Sequence, residues 1–497
     1  MIQTSHPGES DTFYPSLSTP PAYKRDVAHN VTGFVIFTLI FVIRITCHTL
    51  WRDEVQAWLI TASAASNSNP LDLLVIPFEG HPPLWYLVLF PFASLGFGPW
   101  FVKVPLSFCA IGTLAVIWIN SDLRIIDKIL ISGSYYLSWE YGIIARSYSL
   151  GTFLLCAFAA LYRHWHRRPI AAALVLGFSS LTHLFFAIAA SGLAVVTVGE
   201  WLRTGAPKKR IAVFSVLFGA MCLFSVVTVG ISASYGIGLA TRAGSILSSV
   251  VQRPNRTDEV VHHMGAAFTV RIFDTPYAHF EALAICLAIV CLLRAPLFAL
   301  MFLLTSVANA LFISWAYGGA AWHFGAVYVL FIAMYIIKSK ETVAIAGRAL
   351  LLTSFLGGLL MLKPLPPYSR GQEAADIISQ RRLQFRHWSA YPAVPAAVTF
   401  AVLGRSFHSF ECDCEFTYIN WRLYRSRLGQ DALRERIRRF VEIDERNNSY
   451  LLVSQAHAAF LRSVISPDFW IEEIADTGPA AYQDESFFLW RVTKWGR

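Results

Sequence analysis

The chain has 497 residues, of which 55% are hydrophobic and only 15% are charged. Soluble domains carry roughly 25% charged residues, so a soluble globular protein is excluded. Collagen, an intrinsically disordered chain and a small disulfide scaffold are excluded as well, because nothing repeats and apolar residues are plentiful. The composition therefore predicts an integral membrane protein that crosses the bilayer many times and carries a smaller soluble part.

The formal net charge of +9 comes from 41 Lys and Arg residues against 32 Asp and Glu residues. Cytoplasmic loops of membrane proteins collect basic residues, so this charge does not require a nucleic-acid partner, and we expect none. Three basic clusters lie between apolar stretches, at 163–168, 208–210 and 338–340. If the polar segment 1–31 is a disordered cytoplasmic N-terminus, the alternation of spans places all three clusters in the cytoplasm.

Stretches of about 20 apolar residues predict membrane-spanning helices. Eleven stretches of roughly this kind follow one another, and they predict an all-α polytopic protein with about 11 to 13 transmembrane helices. They lie at residues 32–50, 101–120, 125–139, 146–162, 169–186, 187–202, 211–232, 278–293, 296–315, 322–338 and 345–362. The further segment 83–97 contains Pro91 and follows Pro82, so it predicts a broken or half-inserted helix.

These spans define a transmembrane domain over residues 32–362, with a first outer loop at 51–100 and another at 234–277. The tail, residues 363–497, is more polar and is expected on the non-cytoplasmic side. It predicts a small α/β domain. Since it has neither a Gly-rich phosphate loop nor metal-ligand spacing, the favoured interpretation is a cap or docking module.

Within the tail, hydrophobic periodicity predicts two helices and three strands. The helices are expected at Glu373–Gln384 and Asp431–Glu445. The strands are expected at Ala397–Leu403, Tyr450–Ser454 and Glu485–Val492.

The residues with chemical potential gather on the non-cytoplasmic side. Asp53 and Glu54 follow the first span directly, on a segment whose apolar residues share one helical face. Acids at such a place are costly unless they are paired or used. Successive helical residues point about 100° apart, so these two acids are not expected to share one role. An ordinary surface carboxylate next to Arg52 is the alternative.

Two further motifs belong to the same side. His81 precedes a double proline that holds an extended entry to the next apolar segment. Glu140 and Arg146 lie at the outer ends of two spans. They suit either a structural salt bridge or, for Arg146, the binding of a phosphate by the planar guanidinium.

The D-E pair at 53–54, the sequence H-P-P-L at 81–84 and the sequence A-R-S-Y-S-L at 145–150 together resemble the GT-C membrane glycosyltransferases. The branch that they resemble is the bacterial protein-mannosyltransferase and aminoarabinose-transferase group, which is similar to family 39. The motifs cover roughly residues 30–165, and the general layout of many spans plus an outer C-terminal domain extends the likeness loosely to the whole chain.

This resemblance implies a reaction and its partners. The donor would be a sugar on a polyprenyl phosphate, and the acceptor a hydroxyl of a lipid, a glycan or a protein. The protein would lie in a bacterial inner membrane, with its site facing the periplasm or exterior. Neither the sugar nor the acceptor is specified by the sequence.

The resemblance also implies residue roles. Asp53 would be the general base or would position the acceptor, and Arg146 would stabilise the leaving phosphate. Arg271 and His323 are second-rank candidates for that phosphate, and His81 is a further candidate for substrate binding. Glu54 and Glu140 would orient the acceptor or bind a divalent cation. No D-x-D follows the early spans, so a divalent cation is not expected to be obligatory.

Two other functions compete with this one. A secondary transporter commonly has internal repeats and charges near the membrane midplane, whereas here no halves resemble each other and the acids lie near the outer surface. A non-catalytic protein of envelope assembly would keep the spans and would not need Asp53.

Overall fold

Helices dominate the computed structural model, which describes residues 21–76, 79–165, 168–234, 256–269, 278–316, 319–363, 366–419, 428–443 and 449–495. Within these ranges, the strands all lie beyond residue 386 and form one sheet. The predicted fold class, a helical membrane protein with a small C-terminal α/β part, is confirmed.

Fourteen described α-helices precede the tail. They are α1 (Pro21–Cys47), α2 (Arg52–Ser66), α3 (Leu84–Ser94), α4 (Lys103–Trp118), α5 (Ile125–Ser132), α6 (Ser147–Trp165), α7 (Pro169–Ser180), α8 (Leu184–Arg203), α9 (Lys208–Ser234), α10 (Arg256–Thr269), α11 (Ala278–Leu292), α12 (Pro296–Ala316), α13 (Gly325–Ile337) and α14 (Ala344–Leu360). Short 3₁₀ turns and one π-helical turn, Tyr136–Glu140, connect some of them.

Five helical segments of the described chain are long and apolar enough to cross a bilayer. They are Val27–Cys47, Pro99–Trp118, Leu184–Arg203, Lys208–Ser232 and Pro296–Trp315. Large apolar side chains on them face outward, among them Ile43 and Val216, which are 60% and 69% exposed. Such exposure is unfavourable in water and favourable in lipid. The chain is therefore an integral membrane protein.

Other predicted spans correspond to apolar helices of 10 to 17 residues. The prediction of one span at 125–139 is wrong, because α5 ends at Ser132 and the π-helical turn begins at Tyr136. Gly133 lies at this break, packed against the ring of Phe355. The span at 169–186 is also wrong, because α7 ends at Ser180 and His183 caps the start of α8.

The segment 83–97 contains the 11-residue helix α3, with Pro91 inside it. At 1.5 Å per residue this helix is about 16 Å long, roughly half the thickness of a bilayer core. It packs against α2, the helix that follows α1. A short helix at this place agrees with the expected broken or half-inserted segment.

The tail forms a six-stranded mixed sheet in the order β3-β2-β1-β4-β6-β5. Its strands are β1 (His387–Tyr391), β2 (His408–Ser409), β3 (Cys414–Glu415), β4 (Ser449–Ser454), β5 (Phe469–Asp476) and β6 (Phe487–Lys494). Its helices are α15 (Gly371–Gln380), α16 (Ala393–Leu403), α17 (Gln430–Ile443) and α18 (Ala458–Ile465). Strand β1 pairs in parallel with β2 and β4, whereas β6 is antiparallel to both of its neighbours.

Helices cover both faces of this sheet. Along β4, Tyr450 and Leu452 pack into an apolar cluster with α15 and α16, and Leu451 and Val453 pack into another with α17 and α18. Because both faces are covered, every residue of β4 is buried. The strands predicted at Tyr450–Ser454 and Glu485–Val492 and the two predicted helices are thus confirmed within a few residues.

The strand predicted at Ala397–Leu403 is wrong, since these residues belong to α16. Five of the eleven residues of α16 are alanine or threonine, and most of the helix is buried between the sheet and α2. Alanine favours helix, and a helix that is apolar on all sides shows no period by which the sequence would separate it from a strand.

The tail contacts the start of α2 directly. Tyr482 stacks on Trp51 with ring centroids 4.9 Å apart, and Arg52 forms an ion pair with Asp484. The Nε atom of Arg52 also lies 3.5 Å from Oε1 of Glu485, which is fully buried. The first turn of α2 is therefore held between the transmembrane helices and the tail.

This junction predicts a pH dependence of stability. Burial raises the pKa of Glu485 to about 8, although Arg52 opposes the shift. A raised folded-state pKa gives stability that is present below the unfolded value near 4.3 and is lost as the pH rises through 8. Between pH 5 and pH 9 we expect the free energy of unfolding to fall less in Glu485→Gln than in wild type, by a difference of about 2 kcal/mol or more. Thermal unfolding of the two proteins across this pH range measures the difference. Parallel curves of stability against pH would contradict this expectation.

Candidate active site

An ion pair between Asp53 and Arg146 joins two of the predicted site residues. The Oδ2 atom of Asp53 lies 3.2 Å from Nη1 of Arg146, and the two side chains are 19% and 12% exposed. The guanidinium also lies over the rings of Tyr148 and Trp322, at 4.9 and 5.8 Å from their centroids. Asp53 and Arg146 are thus fixed in position and still partly accessible.

A cavity of about 490 Å³, counted with its open mouth, lies next to this pair. It is lined by Asp53, Gln56, Ala57, Glu79, His81, Trp85, Tyr86, Arg146 and Ser147. The structure thus brings together Asp53, His81 and Arg146, which lie up to 93 positions apart in the sequence. A cavity that combines apolar rings with a few convergent charged groups is typical of a small-molecule site.

A second charged pair, Glu79 and His81, lies on the same wall. The Nδ1 atom of His81 hydrogen bonds Oε1 of the buried Glu79. The amide of Gln56 donates to Glu79 Oε2 at 3.2 Å, and Tyr86 adds a further hydrogen bond. Burial alone would raise the pKa of Glu79, but the charge of His81 and these hydrogen bonds hold it below its usual range. Glu79 is therefore an anion that holds the His81 ring.

Three helices begin at the cavity. Asp53 lies in the first turn of α2, Trp85 in the first turn of α3, and Ser147 is the first residue of α6. Helix N-termini present free N–H groups and a partial positive charge. Together with the guanidinium of Arg146, they supply hydrogen-bond donors that suit a phosphate group.

Glu54 does not line this cavity. It is fully buried, and its Oε2 accepts hydrogen bonds from His48 Nε2 at 2.8 Å and from the Trp51 N–H at 3.1 Å. Its Oε1 accepts the N–H of Ala145, the residue before Arg146, at 2.6 Å. The carboxylate of Glu54 thus ties the start of α2 to the segment that carries Arg146.

We expect Glu54→Ala to destabilise the protein by about 3 kcal/mol, because it leaves buried N–H groups unpaired. Asp53→Ala removes a partly exposed acid and should cost less stability. Thermal unfolding in detergent compares them. Equal melting temperatures for Glu54→Ala and wild type would contradict this role of Glu54.

Glu140 and His323 also lie outside the described lining of the cavity. Both are buried: Glu140 accepts the Tyr135 hydroxyl at 2.8 Å, and His323 Nδ1 accepts the Ala320 N–H at 3.1 Å. Arg271 lies outside the described residues. The predicted roles of these three residues in substrate binding stay predictions.

Arg44, near the end of α1, has a clear partner set. Its Nη1 donates to the Ser138 carbonyl at 2.7 Å and its Nη2 to the Met361 carbonyl at 3.1 Å. It also lies over the ring of Trp139. Arg44 therefore joins three segments of the helical domain.

Among the described residues, no group of three or more His, Cys, Asp or Glu side chains is arranged to hold a metal ion. The divalent cation that Glu54 or Glu140 would bind stays a prediction.

Sequence reasoning missed several residues of the site. The sequence motifs gave no role to Glu79 or Gln56, although both line the cavity. His183, whose ring centroid lies 4.8 Å from that of His81, was hidden in a predicted span. An ionisable residue within an apolar stretch is by default a candidate functional residue, and this signal was available for His183.

Comparison with known proteins finds no match to a family model or a curated protein, and it finds a similar solved structure. No family model matches the chain, and no curated protein matches it. A solved structure described as the crystal structure of ArnT from Cupriavidus metallidurans bound to undecaprenyl phosphate is similar at 12% identity and a TM-score of 0.42, over 94% of this chain and 98% of that chain.

Proposed function

We propose that the protein is a membrane glycosyltransferase that moves a sugar from a polyprenyl phosphate to a hydroxyl acceptor on the non-cytoplasmic face. The observation that carries this proposal is the cavity in which Asp53 is paired with Arg146, at the point where three helices begin. A carboxylate and a partly buried cation side by side are what transfer from a phosphate leaving group needs.

The reaction follows from these two groups. The acceptor oxygen attacks the anomeric carbon of the sugar while Asp53 takes the hydroxyl proton. The bond between that carbon and the phosphate oxygen breaks, and the electron pair leaves with the polyprenyl phosphate. The proton is thus on Asp53, the sugar is on the acceptor, and the released phosphate monoester has gained the negative charge.

Arg146 supplies the countercharge. The guanidinium has donors on two edges, so it can hold Asp53 with one and a phosphate oxygen with another. The imidazole of His81 is held by Glu79 on the same wall, so this ring is oriented before the phosphate binds. Donors fixed before the reaction stabilise the developing charge without the cost of reorganisation.

A transporter would need a polar path through the helical domain, and a scaffold would need no paired charges in a cavity. Binding of undecaprenyl phosphate to the purified protein, compared with undecaprenol, tests the proposal against both. We expect the phosphate to raise the melting temperature and the alcohol to leave it unchanged. Equal effects of the two lipids would refute the proposal, and uptake of a solute into vesicles would favour the transporter.

The proposed orientation gives a separate prediction. Cys412 and Cys414 in the tail form a disulfide, a bond that persists in oxidising compartments. We expect alkaline phosphatase fused after Lys363 to be active, because this enzyme needs export from the cytoplasm. The same fusion in the cytoplasmic cluster at 208–210 is the control. Activity at 208–210 and not after Lys363 would invert the topology.

A further inference from the structure

The amide of Gln56 connects the tail to the charged cavity. Its Oε1 accepts the Ile419 N–H at 2.7 Å, and its Nε2 donates to the Ile419 carbonyl at 2.9 Å. The second hydrogen of the same amide reaches Glu79 Oε2 at 3.2 Å. One buried side chain therefore binds both backbone groups of a tail residue and the carboxylate that holds His81.

The orientation of this amide is fixed by its partners. The Ile419 N–H requires the oxygen on its side, so both amide hydrogens point to the Ile419 carbonyl and to Glu79. A flipped amide would place its oxygen against the carboxylate and its nitrogen against an N–H. Few side chains other than glutamine offer one acceptor and two donors at this length.

Gln56 lies one helical turn after Asp53 on α2 and lines the cavity. The tail residue that it binds is itself buried, with 2% of Ile419 exposed. The same helix is bound at its first turn by Tyr482 and Asp484 of the tail. The tail also packs on α2 through α16, and among the described residues the hydrogen bonds of Gln56 link the tail to Glu79, a charged group of the cavity.

We propose that Gln56 is a positioning residue through which the tail sets the orientation of Glu79, and through Glu79 that of His81. The inference deepens the proposed function and rests on it, since His81 matters only if the cavity binds a phosphate. It also gives the tail a role: this domain completes the binding site instead of only covering it. Gln56 itself acts on the ligand indirectly.

The test is a double-mutant cycle between Gln56 and His81, with undecaprenyl phosphate as the probe. Gln56→Met keeps the length of the side chain and removes all three hydrogen bonds. Gln430→Met, at an exposed position in the tail, is the matched control. Dissociation constants are measured on the full-length protein in nanodiscs for the single variants, for Gln56→Met with His81→Ala, and for wild type.

We expect Gln56→Met to weaken binding about 5- to 20-fold, a common size for coupled polar contacts. His81→Ala should weaken it at least as much, and the double variant should bind no worse than His81→Ala within about twofold. Gln430→Met should bind like wild type. A structural role of Gln56 would instead multiply the two single effects, because a general loosening adds to the loss of the imidazole.

Three results would overturn the inference: multiplied effects in the double variant, wild-type binding by Gln56→Met, or wild-type binding by His81→Ala. Failure of the wild-type protein to bind the lipid phosphate would overturn the proposed function instead, and the inference with it. If Gln56→Met does not fold, Gln56→Glu replaces it. Glutamate keeps the acceptor for the Ile419 N–H, loses both amide donors and places a second carboxylate beside Glu79, so the same non-multiplicative loss is expected.

Discussion

Asp53→Asn should lower the rate of sugar transfer by about 10²- to 10⁴-fold, the usual contribution of a positioned acid or base. Asparagine has nearly the same shape, so the helix α2 and the membrane domain should remain folded. Binding of the polyprenyl phosphate should persist or become tighter, because the neutral amide no longer competes with the phosphate for Arg146. Transfer rates and dissociation constants of the same preparation measure both effects.

Glu54→Gln is the control for this variant. Glu54 does not line the cavity, and its role is to accept hydrogen bonds from the N–H groups of Trp51 and Ala145. We expect a loss of stability with a smaller effect on transfer per folded molecule. A wild-type transfer rate for Asp53→Asn would remove Asp53 from the mechanism, and equal losses for both variants would leave the choice of base open.

Arg146→Ala should lower transfer by about 10²- to 10³-fold, the range found when one fixed donor to a developing anion is removed. It should also weaken donor binding, unlike Asp53→Asn. Arg146→Lys should recover part of both, because lysine keeps the charge but cannot hold Asp53 and a phosphate oxygen with one planar group.

The contrast between lysine and alanine separates two roles of Arg146. If the arginine only neutralises Asp53, then the double variant Asp53→Asn with Arg146→Ala should bind the phosphate like wild type. If it binds the phosphate, this double variant should bind as weakly as Arg146→Ala. Transfer at the wild-type rate in both single variants would make Arg146 a structural residue.

The helical membrane class was predictable because it depends on composition and on long apolar stretches. Breaks within those stretches were less predictable. The interruption after Ser132 and the cap at His183 depend on what packs against Gly133 and on a single side-chain hydrogen bond. In the tail, α16 is apolar on every side, so its sequence lacks the period that separates helix from strand.

The site was predictable in part. Asp53, His81 and Arg146 follow motifs, and each lies at the end of an apolar stretch, where it is conspicuous. The residues that hold them in place were not predictable. The hydrogen bonds between Gln56 and Ile419, for example, join residues 363 positions apart and depend on how the tail packs on α2. The roles of Glu54 and Asp53 also separate only once their different directions on α2 are known.

Transfer of a labelled sugar from a panel of polyprenyl-phosphate sugars by purified protein tests the central claim most directly. Wild type and Asp53→Asn are compared at equal amounts of folded protein. The readout is the release of polyprenyl phosphate, because this product is the same whichever acceptor takes the sugar. We predict release with at least one donor by wild type when membrane extract supplies the acceptor, and at least a 100-fold slower release by Asp53→Asn. Equal release by the two proteins, or none from any donor although the lipid phosphate binds, would contradict the account.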